Sequence, residues 1–89
     1  SSERASTQVV VVGLMSVASI AGFKRAVSRI PGVQAVAVSS GPNGEFVYAV
    51  DHTPGLDLAG AITGLPGFEA RITGAGEGVL AVTARDPEA

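Results

Sequence analysis

The chain has no cysteine and no tryptophan, and it carries one tyrosine, three phenylalanines and a single histidine. Without thiols it has no disulfide, no thiolate metal ligand and no thiol nucleophile. With so few aromatics, its core has to be assembled from small β-branched and aliphatic side chains. Basic residues are scarce as well: six Lys and Arg stand against eight Asp and Glu, for a net charge of −2. That balance excludes the basic stripe with which a nucleic-acid binder displaces counterions. Long apolar runs are also missing. The β-branched stretch Val9 to Val12 is a strand's worth and far short of a membrane span, so no membrane insertion is expected.

What remains is a chain of 89 residues, 46% hydrophobic and 16% charged. It is too apolar for a disordered tail and too short for a second core. Residues 1–7 read as a linker, residues 8–85 as the domain and residues 86–89 as a polar tail stopped by Pro87. The chain thus reads as one domain of a longer protein, with the cytoplasm as its expected compartment.

Gln8 to Leu14 is a β-branched run that ends beyond a glycine, which predicts a central strand covered on both faces. Ser16 is placed to cap a helix. Val17, Ile20, Phe23, Val27 and Ile30 then recur at three- and four-residue steps, one apolar stripe along that helix. Lys24, Arg25 and Arg29 fall on its polar side, near the end where the helix dipole favours cations. Pro31-Gly32 ends the helix.

Val33 to Ser39 and Glu45 to His52 alternate as strands about the turn Ser40-Gly41-Pro42-Asn43-Gly44, where Asn-Gly suits positive φ angles. Asp57 begins a second helix striped by Leu58, Ala61, Ile62 and Leu65 and closed by Pro66-Gly67. Phe68 to Thr73 is the next strand, Gly74 to Gly78 reads as a flexible turn, and Val79 to Ala84 is an additional strand. The helix ends Ile30-Pro31-Gly32-Val33 and Leu65-Pro66-Gly67-Phe68 echo each other, as two halves in tandem would. The expected fold is therefore α+β: a ferredoxin-like βαββαβ sandwich, two helices on one face of an antiparallel sheet, with an extra C-terminal strand.

The stretch from Gly13 to Val33 resembles the heavy-metal-associated domain of copper chaperones and metal-transporting ATPases. That family reads strand, Gly-Met, one residue, Cys, two residues, Cys, then a helix closing on Gly-Val. Gly13 and Leu14 take the Gly-Met place, Ser16 and Ser19 fall on the two Cys positions, and Ile20, Arg25, Ala26, Ile30, Gly32 and Val33 keep the helix register. Val36, Val38, Asp51 and Gly67-Phe68 continue the likeness, which spans about residues 9 to 70. The resemblance implies the fold but not the chemistry. Soft Cu(I) and Zn(II) are held there by thiolates, and serine hydroxyls are hard and neutral. No cofactor is expected and metal binding is rejected for the degenerate loop Met15, Ser16 and Ser19. An N-cap and a first-turn hydroxyl describe the two serines better.

Other candidates fare similarly. His52 lacks companions for base or metal work, since Asp51 points to the opposite face of a strand, so it reads as a solvated strand end. Lys24, Arg25 and Arg29 could receive an anion, but a solvated helix face is the simpler expectation. The glycines at 74, 76 and 78 have no helix after them and no phosphate-binding Lys. An acylphosphate hydrolase of similar fold would need an Arg-bearing loop after the first strand, and Leu14-Met15-Ser16-Val17 supplies none. No enzyme is expected.

One feature resists a bland account. If Val9 and Val11 face the helices, then Val10, Val12, Ala35, Ala37, Val47 and Ala49 share the other face, where polar residues would normally stand. A contiguous apolar patch points to an interface. The expectation is thus a non-catalytic interaction or regulatory module whose partner is protein, either another copy or the rest of a parent chain. The alternative is a metal- or small-ligand-sensing domain using the loop Gly13 to Ser19.

Overall fold

Strand β1 (Ala5–Val12) lies at the centre of a five-stranded sheet ordered β2-β3-β1-β5-β4 in a computed structural model that describes residues 5–14, 16–65 and 67–85. The other strands are β2 (Val33–Ser40), β3 (Phe46–His52), β4 (Glu69–Gly76) and β5 (Val79–Arg85). Helix α1 (Val17–Ser28) joins β1 to β2, and α2 (Leu58–Thr63) joins β3 to β4. The order of elements is as the sequence predicts.

The sheet is not. β1 pairs antiparallel with β3 but parallel with β5, so the sheet is mixed. β5 is no appendage: it inserts between β1 and β4 and displaces β4 to the edge. The strand order is therefore not that of the expected antiparallel ferredoxin-like sheet. The reason lies in what each strand can bury. β5 presents Leu80, Val82 and Ala84 to the core, all buried. β4 alternates Glu69 and Arg71 with half-buried Ala70 and Ile72 and then runs into Gly74-Ala75-Gly76. A charged, glycine-rich strand suits an edge, where only one side needs a partner.

That glycine-rich stretch is consequently strand rather than turn. Gly74 to Gly76 pair with Ala81 to Val79 after a register shift near Ile72, and the turn shrinks to Glu77-Gly78, with Gly78 at φ 71°. At the other end, β1 begins within the segment expected as linker: Ala5, Ser6 and Thr7 pair with His52, Asp51 and Val50. Residues 1–4 and 86–89 lie outside the described residues.

The core lies on one face of the sheet. Val9 and Val11 of β1, Tyr48 and Val50 of β3 and Leu80 and Val82 of β5 meet Phe23, Val27 and Ile30 from the α1 segment and Leu58, Ile62 and Leu65 from the α2 segment. Among the described residues β1 is covered on that face only, not on both. The ring of Phe23 stands edge-on to Tyr48 at 5.3 Å and to Phe68 at 5.4 Å, so three of the four aromatics form one cluster. Tyr48 also donates its hydroxyl proton to the carbonyl oxygen of Ile20 at 3.0 Å, tying β3 to α1. Burial pushes its phenol up to about 12.

The stripe on α1 is shifted from the expected one. Val17 is 82% exposed and Ser19 is buried in its stead. Ser19, Phe23 and Val27 follow each other at four-residue steps, whereas Val17 lies about 200° round the helix from Ser19 at 3.6 residues per turn. Both helices are capped: Ser16 caps α1 as expected, and Asp57, expected only as a carboxylate near the start of α2, is its N-cap. Ser16 Oγ accepts from the backbone N–H of Ser19, and Asp57 Oδ1 from that of Gly60 at 3.1 Å. The closing Pro66 lies outside the described residues, and Gly64 caps α2.

Candidate interaction surface

Successive strand residues face opposite ways, so the register of the sheet fixes which side chains share the face away from the helices. Val10 of β1 stands between Val47 of β3 and Ala81 of β5. In the next row, Ala37 of β2 and Ala49 of β3 are partners, and Gln8 and Val79 complete the line. Ala35 pairs with Asp51 beyond a register shift in β2, and Val12 pairs with Thr83. The sheet thus brings all six expected residues, Val10, Val12, Ala35, Ala37, Val47 and Ala49, to one face. Val12 is 44% exposed and Val79 39%. Ala35, Ala37 and Ala49 are exposed, and Val10 and Val47 are half-buried by their neighbours alone.

β5 adds Val79, Ala81 and Thr83, which sequence reasoning did not include because it read this strand only as an extra one after the βαββαβ unit, with no place assigned in the sheet. The signal was present: Val79, Ala81 and Thr83 alternate with the buried Leu80, Val82 and Ala84. The surface is not purely apolar. Ser6, Gln8, Ser39 and Asp51 lie within it, and its β4 margin carries an exposed ion pair, Arg85 Nε to Glu69 Oε1 at 3.1 Å. Such a pair at the solvent contributes little to stability.

The loop after β1 is organised by backbone constraints. Gly13 has φ 103°, and a Cβ there would collide with the carbonyl oxygen of Ala84 on β5. Glycine is needed because β5 runs directly beside the end of β1. Beyond it, Ser16 Oγ accepts from Ser19 N at 3.0 Å and its hydroxyl donates to Ser19 Oγ at 3.0 Å. The two hydroxyls that stand where the resembled family has thiols thus face each other and serve the helix start. Met15 lies outside the described residues. Among the described residues no group of three or more His, Cys, Asp or Glu could hold a metal ion, and no helix is long and apolar enough to cross a membrane.

His52 corrects a sequence expectation. It is 6% exposed rather than solvated. Its Nδ1 lies 2.8 Å from the carbonyl oxygen of Thr53 and its Nε2 2.8 Å from Thr7 Oγ1. A carbonyl only accepts, so Nδ1 carries a proton and donates it to Thr53, while Nε2 pairs with the Thr7 hydroxyl. The pair fastens the start of β1 to the end of β3. Its partners satisfy the ring where a solvated one would bind water, and the sequence separation of 45 residues hid the contact. Because His52 sits opposite Ala5, it is at the far end of β1 from the serine loop.

Lys24 and Arg25 on α1 and Arg29 at its C-cap are exposed. Comparison with protein-family models, with curated proteins and with solved structures finds no match to this chain.

Proposed function

We propose that this domain is a non-catalytic interaction or regulatory module, a relative of the heavy-metal-associated domain without its metal site, that pairs with a second copy of itself through the open face of its sheet. The observation carrying this reading is the one-sided layering. Both helices pack on the same face, leaving Val10, Val12, Ala37, Val47 and Ala49 without a covering element among the described residues. Small side chains let two such faces approach to about 10 Å, the usual separation of packed sheets. The central rows hold no charge that would be stranded there.

The size of the face sets the strength. Five strands about 4.8 Å apart and roughly 25 Å long offer about 600 Å² per copy, or roughly 1,200 Å² in a pair. That is the lower bound of stable interfaces, so the expected state is a concentration-dependent dimer rather than an obligate one. Sedimentation of the 89-residue chain over a wide concentration range tests this. A rising mean mass is expected, and a constant monomer mass at millimolar concentration contradicts it. The loop-sensing alternative lacks comparable support, because the Ser16 hydroxyl is already engaged in the helix cap.

A further inference from the structure

On the opposite side of the molecule, α1 and α2 do not close against each other. Between them runs a groove of about 540 Å³, within the range of small-molecule sites. Its apolar lining comes from Ala26 and Ile30 on the α1 side and from Leu65 and Phe68 at the end of the α2 segment. Phe68 is held in place by its edge contact with Phe23, and Gly22 lies against its ring. Arg25 and Arg29 also line the groove, and no Asp or Glu does. One turn apart on α1, the two guanidinium groups can reach the same point. Among the described residues neither is paired with a carboxylate.

We infer that this groove binds a small amphiphilic carboxylic acid, its chain lying along Ile30, Leu65 and Phe68 and its carboxylate received by Arg25 and Arg29. Charge complementarity sets the head group. Guanidinium forks match carboxylates in bidentate geometry, and an apolar trough with two cations unpaired among the described residues disfavours both a cationic and a fully polar occupant. The helix dipole accounts for cations near the C-terminus of α1 but not for the apolar trough beside them. The length of the wall sets the size. The six residues of α2 make a wall about 9 Å long at 1.5 Å per residue. A docked peptide helix anchors at i, i+3, i+4 and i+7, which needs more than that length. A short alkyl chain does not.

The test is an NMR titration of the 89-residue chain with octanoate, octan-1-ol and octylammonium as probes. Saturable shifts are expected at the amides of Gly22, Gly64 and Leu65 with octanoate, and binding at least tenfold weaker with the other two. The exposed pair Arg25→Gln and Arg29→Gln should weaken octanoate at least tenfold while leaving the fold unchanged. Equal binding of octylammonium, equal binding by the double variant, or shifts confined to the outer rows of β1 and β3 would each overturn the assignment. Recruitment of an acidic helical peptide without any octanoate binding would overturn it as well. Failure here leaves the sheet-face proposal intact, because the two surfaces share no residue.

Discussion

Val9, Val11, Tyr48 and Val50 are fully buried on the inner face of the sheet, whereas Val10, Val12, Val47 and Ala49, one residue away on the same two strands, are half-buried or exposed. The residue types hardly differ; the covering does. On the inner face, aliphatic side chains meet an aromatic cluster and two helices, and their burial is worth about 1.5–3 kcal/mol each. On the outer face the same kind of side chain meets its strand neighbours and then solvent. Apolar content on a strand therefore predicts that a face will be covered, without saying by what. Substitutions on the inner face should register as stability and those on the outer face as association.

The largest effect expected is from Phe23→Ala. It removes the ring that contacts both Tyr48 and Phe68 and should cost about 3–5 kcal/mol, measured by urea unfolding. A loss below about 1 kcal/mol would mean that the inner face is not the core. Alkaline pH comes next. The phenol of Tyr48 rises from 10.0 to about 12 in the folded chain, so above about pH 10 the unfolded chain releases this proton while the folded chain retains it. Its contribution is complete below about pH 10 and fades as pH climbs toward 12, a loss of about 2–3 kcal/mol at most. Tyr48→Phe should flatten that alkaline decline, at a cost near neutral pH of about 1 kcal/mol for the bond to Ile20. An unchanged slope would place the tyrosine outside the core.

Gly13→Ala should destabilise by about 2 kcal/mol, through its positive φ and the collision with Ala84. A neutral result would show that β5 does not run beside β1. Ser16→Ala should cost about 1 kcal/mol through the lost cap. If the loop served a ligand instead, the loss would show in binding with stability unchanged. The smallest stability effect, within about 0.5 kcal/mol, belongs to the outer-face pair Val12→Lys and Ala49→Lys; it should abolish association all the same.

Much of this comparison was legible in the sequence. Alternation in β1, β2 and β3 placed Val10, Val12, Ala35, Ala37, Val47 and Ala49 together because period-two patterning is local. The cap at Ser16 and the carboxylate of Asp57 at the start of α2 were legible for the same reason: each bond spans three residues. What was hidden depends on contacts across the chain. The position of β5 turns on which of two strands can bury more against β1. The burial of His52 depends on Thr7, and the engagement of the Tyr48 hydroxyl on Ile20, both distant in sequence. Val17 was misplaced by phase, since an apolar residue in a helix's first turn matches a stripe template even when its angle points away from the sheet.

The most direct test is sedimentation equilibrium of the wild-type chain beside the Val12→Lys, Ala49→Lys double variant, with urea unfolding of both. The account predicts a reversible dimer for the wild type, a monomer for the variant, and the same unfolding midpoint for each once the wild type is diluted to monomer. A wild type that stays monomeric at millimolar concentration, or a variant that associates equally well, would contradict it.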